Sequence, residues 1–224
     1  PIYNLIFSLE MLLFGGGMGY GSYTAASQIA NMGAYTIALV LPALIYCRRI
    51  RIPIYNAFPL EGPNNTGVAL AAVPVTLMTV VVGAYTASVM GVFFAVFGMY
   101  PTSPVESVPT DTVGFMLYFI STAILPAIVE ELMFRGAILQ SLRRFGDTFA
   151  LFVSSLLFGL THGNLIQAPM AFLTGLAIGY FVLRTGSLRT GMFIHFVNNA
   201  LAVVLSAVGN SLSYDASALL TNGV

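Results

Sequence analysis

The stretch TVGFMLYFISTAILPAIVEELMFRG, residues 112–136, decides how the chain folds. From Thr112 to Val129 it carries no charged side chain, and then Glu130, Glu131 and Arg135 arrive within two turns. A helix that crosses a bilayer needs about 20 predominantly apolar residues, so this run reads as a membrane helix ending in ionisable groups. Similar apolar runs recur at about 2–20, 29–47, 67–99, 148–162, 168–183 and 190–208, separated by polar or turn-rich pieces. Composition agrees. Of 224 residues, 58% are hydrophobic and 7% charged, against about 25% charged in a soluble domain. So few polar residues cannot cover a soluble core, and the bilayer must serve as solvent. The expected fold is an all-α polytopic transmembrane helical bundle of about seven spans, one domain over 1–224, with its cavity in the C-terminal half, where the buried ionisable residues fall. A net charge of zero, with no basic stripe, excludes nucleic acid as a partner. The single cysteine, Cys47, excludes an internal disulfide and a multi-cysteine metal cluster, and reads as a small core residue.

The arginines orient the bundle. Arg48, Arg49 and Arg51 follow the second run, Arg143 and Arg144 follow the fourth, and Arg184 and Arg189 join the sixth to the seventh. The loop at 100–111 holds Glu106 and Asp111 and no basic residue. By the positive-inside rule the basic connections are cytoplasmic. The N-terminus then lies inside, residues 209–224 form a polar tail outside, and the protein is a multi-pass protein of the cell membrane. The third run is long enough to tilt strongly or to break at Gly83. Three glycine pairs four residues apart, Gly15/Gly19, Gly159/Gly163 and Gly175/Gly179, have the spacing that lets helix backbones approach closely in lipid.

Ionisable residues inside apolar helices are costly and point to function. The chain has two histidines, and both fall in apolar runs: His162 ends the fifth and His195 lies within the seventh. Glu131 and Arg135 are i and i+4 with the acid first, the favourable order for an ion pair. Glu130 points about 100° away around the helix, so one carboxylate is neutralised in place and the other stays available. Pro126 removes a backbone donor and frees the carbonyl of Thr122. His195 and Asn199 share a face of the seventh run, as Phe158 and His162 share one of the fifth. A carboxylate beside an imidazole can take a proton from water, and an imidazole or amide across a peptide bond can donate to the resulting oxyanion. Glu130 and His162 suit the first task; His195 and Asn199 suit the second, with Asn198 as the rival amide.

Glu130-Glu131-x-x-x-Arg135, Phe158-x-x-x-His162 and His195-x-x-x-Asn199 resemble the three motifs of the CPBP family, the CAAX proteases and bacteriocin-processing enzymes also called the Abi family. The flanking Phe134-Arg135-Gly136, Ser154-Ser155, Phe158-Gly159 and Gly186-Ser187-Leu188 match as well, and the resemblance covers about residues 112–207. It implies a prokaryotic relative of the type II CAAX prenyl endopeptidase, an intramembrane glutamic peptidase using glutamate-activated water and no metal or other cofactor. By position, Glu130 would be the base, His162 its partner, and His195 with Asn199 the oxyanion donors. Glu131 and Arg135 would hold the site together. The partners implied are a peptide or protein substrate, lipid-modified or membrane-anchored, and the membrane lipid itself. The active site would face the cytoplasm. For His162 to reach Glu130 from about 14 residues into its run, either residues 136–147 themselves dip into the membrane or the fifth helix tilts; the former is expected, with Phe134 to Phe145 an amphipathic continuation.

Other readings compete. Two glutamates and two histidines could bind zinc and make a metalloprotease, but no His-Glu-x-x-His is present. A non-enzymatic bacteriocin-immunity or scaffold protein could share the fold, though its chemistry-bearing motifs would then be free to decay. A proton-relaying transporter would be expected to show internal repeats, and a rhomboid-type serine protease needs a serine context that is absent.

Overall fold

A computed structural model describes residues 25–62, 66–99, 108–163 and 165–222, and every element among them is helical. In chain order these are α1 (Ala25–Arg49), the single turn α2 (Ile54–Ala57), α3 (Thr66–Val96), the composite α4 (Thr112–Phe145), α5 (Asp147–Thr161), α6 (Gln167–Thr185) and α7 (Leu188–Asn222). Five stretches are long and apolar enough to cross a membrane: α1, Leu70–Val96 of α3, α4, α6 and Leu188–Gly209 of α7. With the shorter apolar α5 they account for six of the expected spans. The run at 2–20, its Gly15/Gly19 pair and most of the loop at 100–111 lie outside the described residues.

The structure decides points that the sequence left open. Of the two alternatives for the third run, a strong tilt or a break at Gly83, the break is absent: α3 is continuous over 31 residues. A Cβ on Gly83 would sit 2.5 Å from Met170 Cγ, so this glycine admits α6 rather than a hinge. Residues 209–222 continue α7 as helix through Asn222, because Ser and Asn side chains do not by themselves stop a helix that is already propagating. Gly163 is not a helix-contact glycine. It sits past the end of α5 with φ of 64°, the left-handed conformation that glycine adopts without a Cβ penalty. Its former pair-mate does make the contact: a Cβ on Gly159 would lie 2.7 Å from the Ala168 carbonyl, and one on Gly179 2.6 Å from Leu151 Cδ1. The close approach of α5 to α6 rests on these two positions and on Gly175.

The course of α4 places the site. Asp111 caps its start, accepting from the Gly114 N–H at 2.8 Å. The helix then runs 34 residues to Phe145, so the expected continuation past Phe134 is helical. It is wound as π-helix over Ile120–Ile124 and again over Leu132–Ile138, turns that frequently occur at functional sites. Gly146, with φ of 108°, reverses the chain, and α5 returns beside α4 for 15 residues. The outgoing and returning legs are of nearly equal length, so His162 arrives level with the Glu130–Glu131 pair.

α1 packs parallel to α4. Tyr46 Oη lies 3.0 Å from Ser141 Oγ, and Tyr35 bonds Glu130; the two pairs have the same sequence offset of 95 residues. Alongside them Leu39, Ala43 and Cys47 form a buried stripe, and Cys47 packs with Ala43, Ala57 and Ala137 as a core residue. The segment after α1 docks across the arginine-rich end. Phe58 lies against Gly136, where a Cβ would meet its ring at 2.6 Å, and the Pro59 carbonyl accepts from the Leu188 N–H at 2.8 Å.

Candidate active site

Two adjacent carboxylates on α4 meet different surroundings. Glu131 is sealed, with 0% of its side chain exposed, and its Oε1 accepts from Arg135 Nη1 at 2.8 Å and from His195 Nδ1 at 2.9 Å. Arg135 is equally sealed; its Nη2 donates to the Gly175 carbonyl at 3.2 Å, and its Cζ stands 4.3 Å over the Phe158 ring. The guanidinium thus combines an ion pair with a cation–π contact, which gains strength when desolvated. Gly191 of α7 covers the other oxygen: a Cβ there would lie 2.8 Å from Glu131 Oε2.

Glu130 keeps 15% of its side chain exposed. Its Oε1 accepts from the Tyr35 hydroxyl of α1, and its Oε2 faces His195 Nε2 at 3.6 Å. His195 therefore stands between both carboxylates. Because a carboxylate only accepts, His195 Nδ1 carries the proton it gives to Glu131, and the ring presents Nε2 toward Glu130.

Phe158 joins the remaining parts. Its ring makes edge-on contacts with His195 at 5.6 Å, His162 at 5.0 Å and Phe134 at 5.3 Å between centroids. His162 caps α5 and is exposed. Its Nδ1 is 2.9 Å from the Phe158 carbonyl, an acceptor, so Nδ1 donates there and Nε2 is the nitrogen left toward other partners. The histidine against the carboxylates is thus His195, while His162 reaches the cluster through Phe158.

One turn beyond His195, Asn199 Nδ2 donates to the Thr122 carbonyl at 3.1 Å. This is the carbonyl that Pro126, four residues on, cannot satisfy, and a side chain from α7 has taken the vacant bond. Asn198 Nδ2 donates in turn to Asn199 Oδ1 at 3.3 Å, so the rival amide supports Asn199 from behind. One N–H of Asn199 is used at Thr122, and the second is left to point elsewhere.

Of the residues singled out in the sequence, Glu130, Glu131, Arg135 and His195 meet directly, while His162 is joined to them through Phe158 and Asn199 bonds Thr122 one turn beyond His195. The residue missed is Tyr35. Its signal lay in the spacing Tyr35, Leu39, Ala43, Cys47, a stripe four residues apart that aims the tyrosine at whatever helix buries the other three. Among the described residues no group of three or more His, Cys, Asp or Glu side chains is arranged to hold a metal ion. At the arginine-rich end a cavity of about 890 Å³ opens between α1 and residues 54–61, with Leu132 on its wall. Its lining comes chiefly from the N-terminal half.

Residues 112–201 match the family model described as Rce1-like, Type II CAAX prenyl endopeptidase Rce1-like. The matched segment is that of a peptidase family, in line with the CPBP resemblance, and it contains every site residue named above except Tyr35. No curated protein and no solved structure matches the chain.

Proposed function

We propose that the chain is an intramembrane endopeptidase that cleaves a peptide bond of a membrane-associated or lipid-modified substrate with water activated by Glu130. The observation that carries this reading is the meeting of Glu130 Oε2 with His195 Nε2 at 3.6 Å beside a sealed Glu131–Arg135 pair, on a segment matching a peptidase family. The family resemblance assigns the reaction to these residues without a metal.

The steps follow from the donors and acceptors present. Water gives a proton to the Glu130 carboxylate as its oxygen bonds the scissile carbonyl carbon, with His162 Nε2 as a second acceptor that orients the water. The carbonyl π pair moves onto oxygen, which His195 Nε2–H and the free Asn199 N–H receive. For this role His195 must carry a proton on Nε2 as well as the one that Nδ1 gives to Glu131. Glu130 then passes its proton to the departing amine as the C–N bond breaks, which regenerates the carboxylate. Glu131 holds His195 and Arg135 in place and exchanges no proton. The catalytic core spans 112–207 within one membrane domain, and its site faces the cytoplasm of the cell membrane.

The test is cleavage of a quenched peptide library by detergent-purified protein before and after treatment with a chelator. Glu130→Ala should lower the rate about 10²–10⁴-fold, as for loss of a general base. His195→Ala or Asn199→Ala should lower it about 10²–10³-fold, as for one oxyanion donor. A Glu130→Ala protein that cleaves at the wild-type rate removes the base assignment. Activity lost to the chelator and restored by zinc moves the reaction to a metalloprotease.

A further inference from the structure

We infer that Tyr35 is a positioning residue of the active site, donating its hydroxyl to Glu130 Oε1 so that Oε2 is the oxygen left to take the proton from water. The inference rests on the reading of Glu130 as the base. It adds a residue from the N-terminal half, outside the segment that matches the peptidase family.

A carboxylate on a helix can rotate about its terminal bond, and either oxygen can then face the substrate. At Glu130 the two oxygens are distinguished by their partners. Oε1 accepts from Tyr35 and Oε2 faces His195. Of these two partners only Tyr35 makes a hydrogen bond to Glu130, since 3.6 Å is too long for one. The orientation of the carboxylate is therefore set from α1.

α1 is held well enough to do this. Leu39, Ala43 and Cys47, spaced four apart behind Tyr35, are 4%, 0% and 1% exposed, and Tyr46 bonds Ser141 at the same offset. The two tyrosine contacts lie about 16 Å apart along the helices at 1.5 Å per residue. A rigid stretch pinned at both ends cannot slide one residue without losing both hydroxyl bonds, so Tyr35 is delivered opposite Glu130 and nowhere else. If the tyrosine served only to pack, phenylalanine would fill the same space.

The experiment is Tyr35→Phe, assayed with wild type and Glu130→Ala on one reporter peptide, alongside melting in the same detergent. The expected result is a kcat about 10- to 100-fold lower, the worth of one hydrogen bond to a charged group, with KM within twofold and an unchanged melting temperature. An unchanged kcat overturns the inference. So does a kcat loss matched by a lower melting temperature, which would make Tyr35 a packing residue. If Glu130→Ala is inactive while Tyr35→Phe is fully active, this inference alone falls. If Glu130→Ala is fully active, the base assignment falls and takes this inference with it.

Discussion

Glu130 and Glu131 differ by one position in the chain and, apart from the His195 they share, by what surrounds them. Glu131 is closed off with Arg135, and both have 0% side-chain exposure. Removing one member of such a pair strands the other as an uncompensated buried charge. Glu131→Gln should therefore lower stability by about 3–5 kcal/mol. Glu130→Gln keeps an amide oxygen for Tyr35 and a partly exposed site, so its loss should be about 1 kcal/mol or less, although it removes the proposed base. Denaturant or thermal unfolding in detergent separates the two variants. Equal losses at both positions would show that the division between a structural and a working carboxylate is mistaken. Adjacency in a helix made that division legible beforehand, since a step of about 100° cannot leave both carboxylates on one face. Which histidine stands between them was not legible, because no spacing within a helix reports on a contact between helices.

At the scale of the element, α4 is shaped by Pro126. The missing N–H leaves the Thr122 carbonyl open, and Asn199 answers it from α7 at 3.1 Å. The π-wound turn Ile120–Ile124 lies just before. Pro126→Ala restores a backbone donor that competes with Asn199 for Thr122. Stability should hold or rise, because a helix-interior proline is replaced by the best helix former. The rate should nevertheless fall about 10- to 100-fold as Asn199 loses its fixed position. Turnover measured together with melting temperature tests this, and an unchanged kcat would mean that Asn199 is held without Thr122. The freed carbonyl could be read from the proline alone. Its partner could not, as Asn199 and Asn198 were both available and only the rotation of α7 selects between them.

At the scale of the molecule, the arginines gather at one end. Tyr35–Glu130 and Tyr46–Ser141 share one offset, so Arg48 and Arg143 lie at matching heights on parallel helices. The bond from Leu188 N–H to Pro59 O brings the α6–α7 turn, with Arg184 and Arg189, to the same end. The orientation proposed from the positive-inside rule puts that end in the cytoplasm. A single cysteine placed at Tyr55, which is 75% exposed, should react with a membrane-impermeant thiol reagent only in inverted vesicles. One at Thr110, before the start of α4, should react only in right-side-out cells. Cys47 is buried and provides a low background. Labelling of both positions from one side would reject the orientation.

Hydropathy, the arginine pattern and the Glu-Glu-x-x-x-Arg, Phe-x-x-x-His and His-x-x-x-Asn spacings are local properties, written within single helices. They determined the helical membrane class, the ion pair of Glu131 with Arg135, and the candidate residues of the site. The tertiary structure decided the relations between helices. It placed His195 against both carboxylates, used Phe158 to bring in His162, gave Thr122 to Asn199, and drew Tyr35 from a helix with no motif of its own. The physical reason is that these contacts depend on the rotation, height and closeness of packed helices. Those variables are set by where side chains such as Gly159, Gly175, Gly179 and the Leu39–Ala43–Cys47 stripe let the backbones meet, and periodicity along one helix carries no record of its neighbour's.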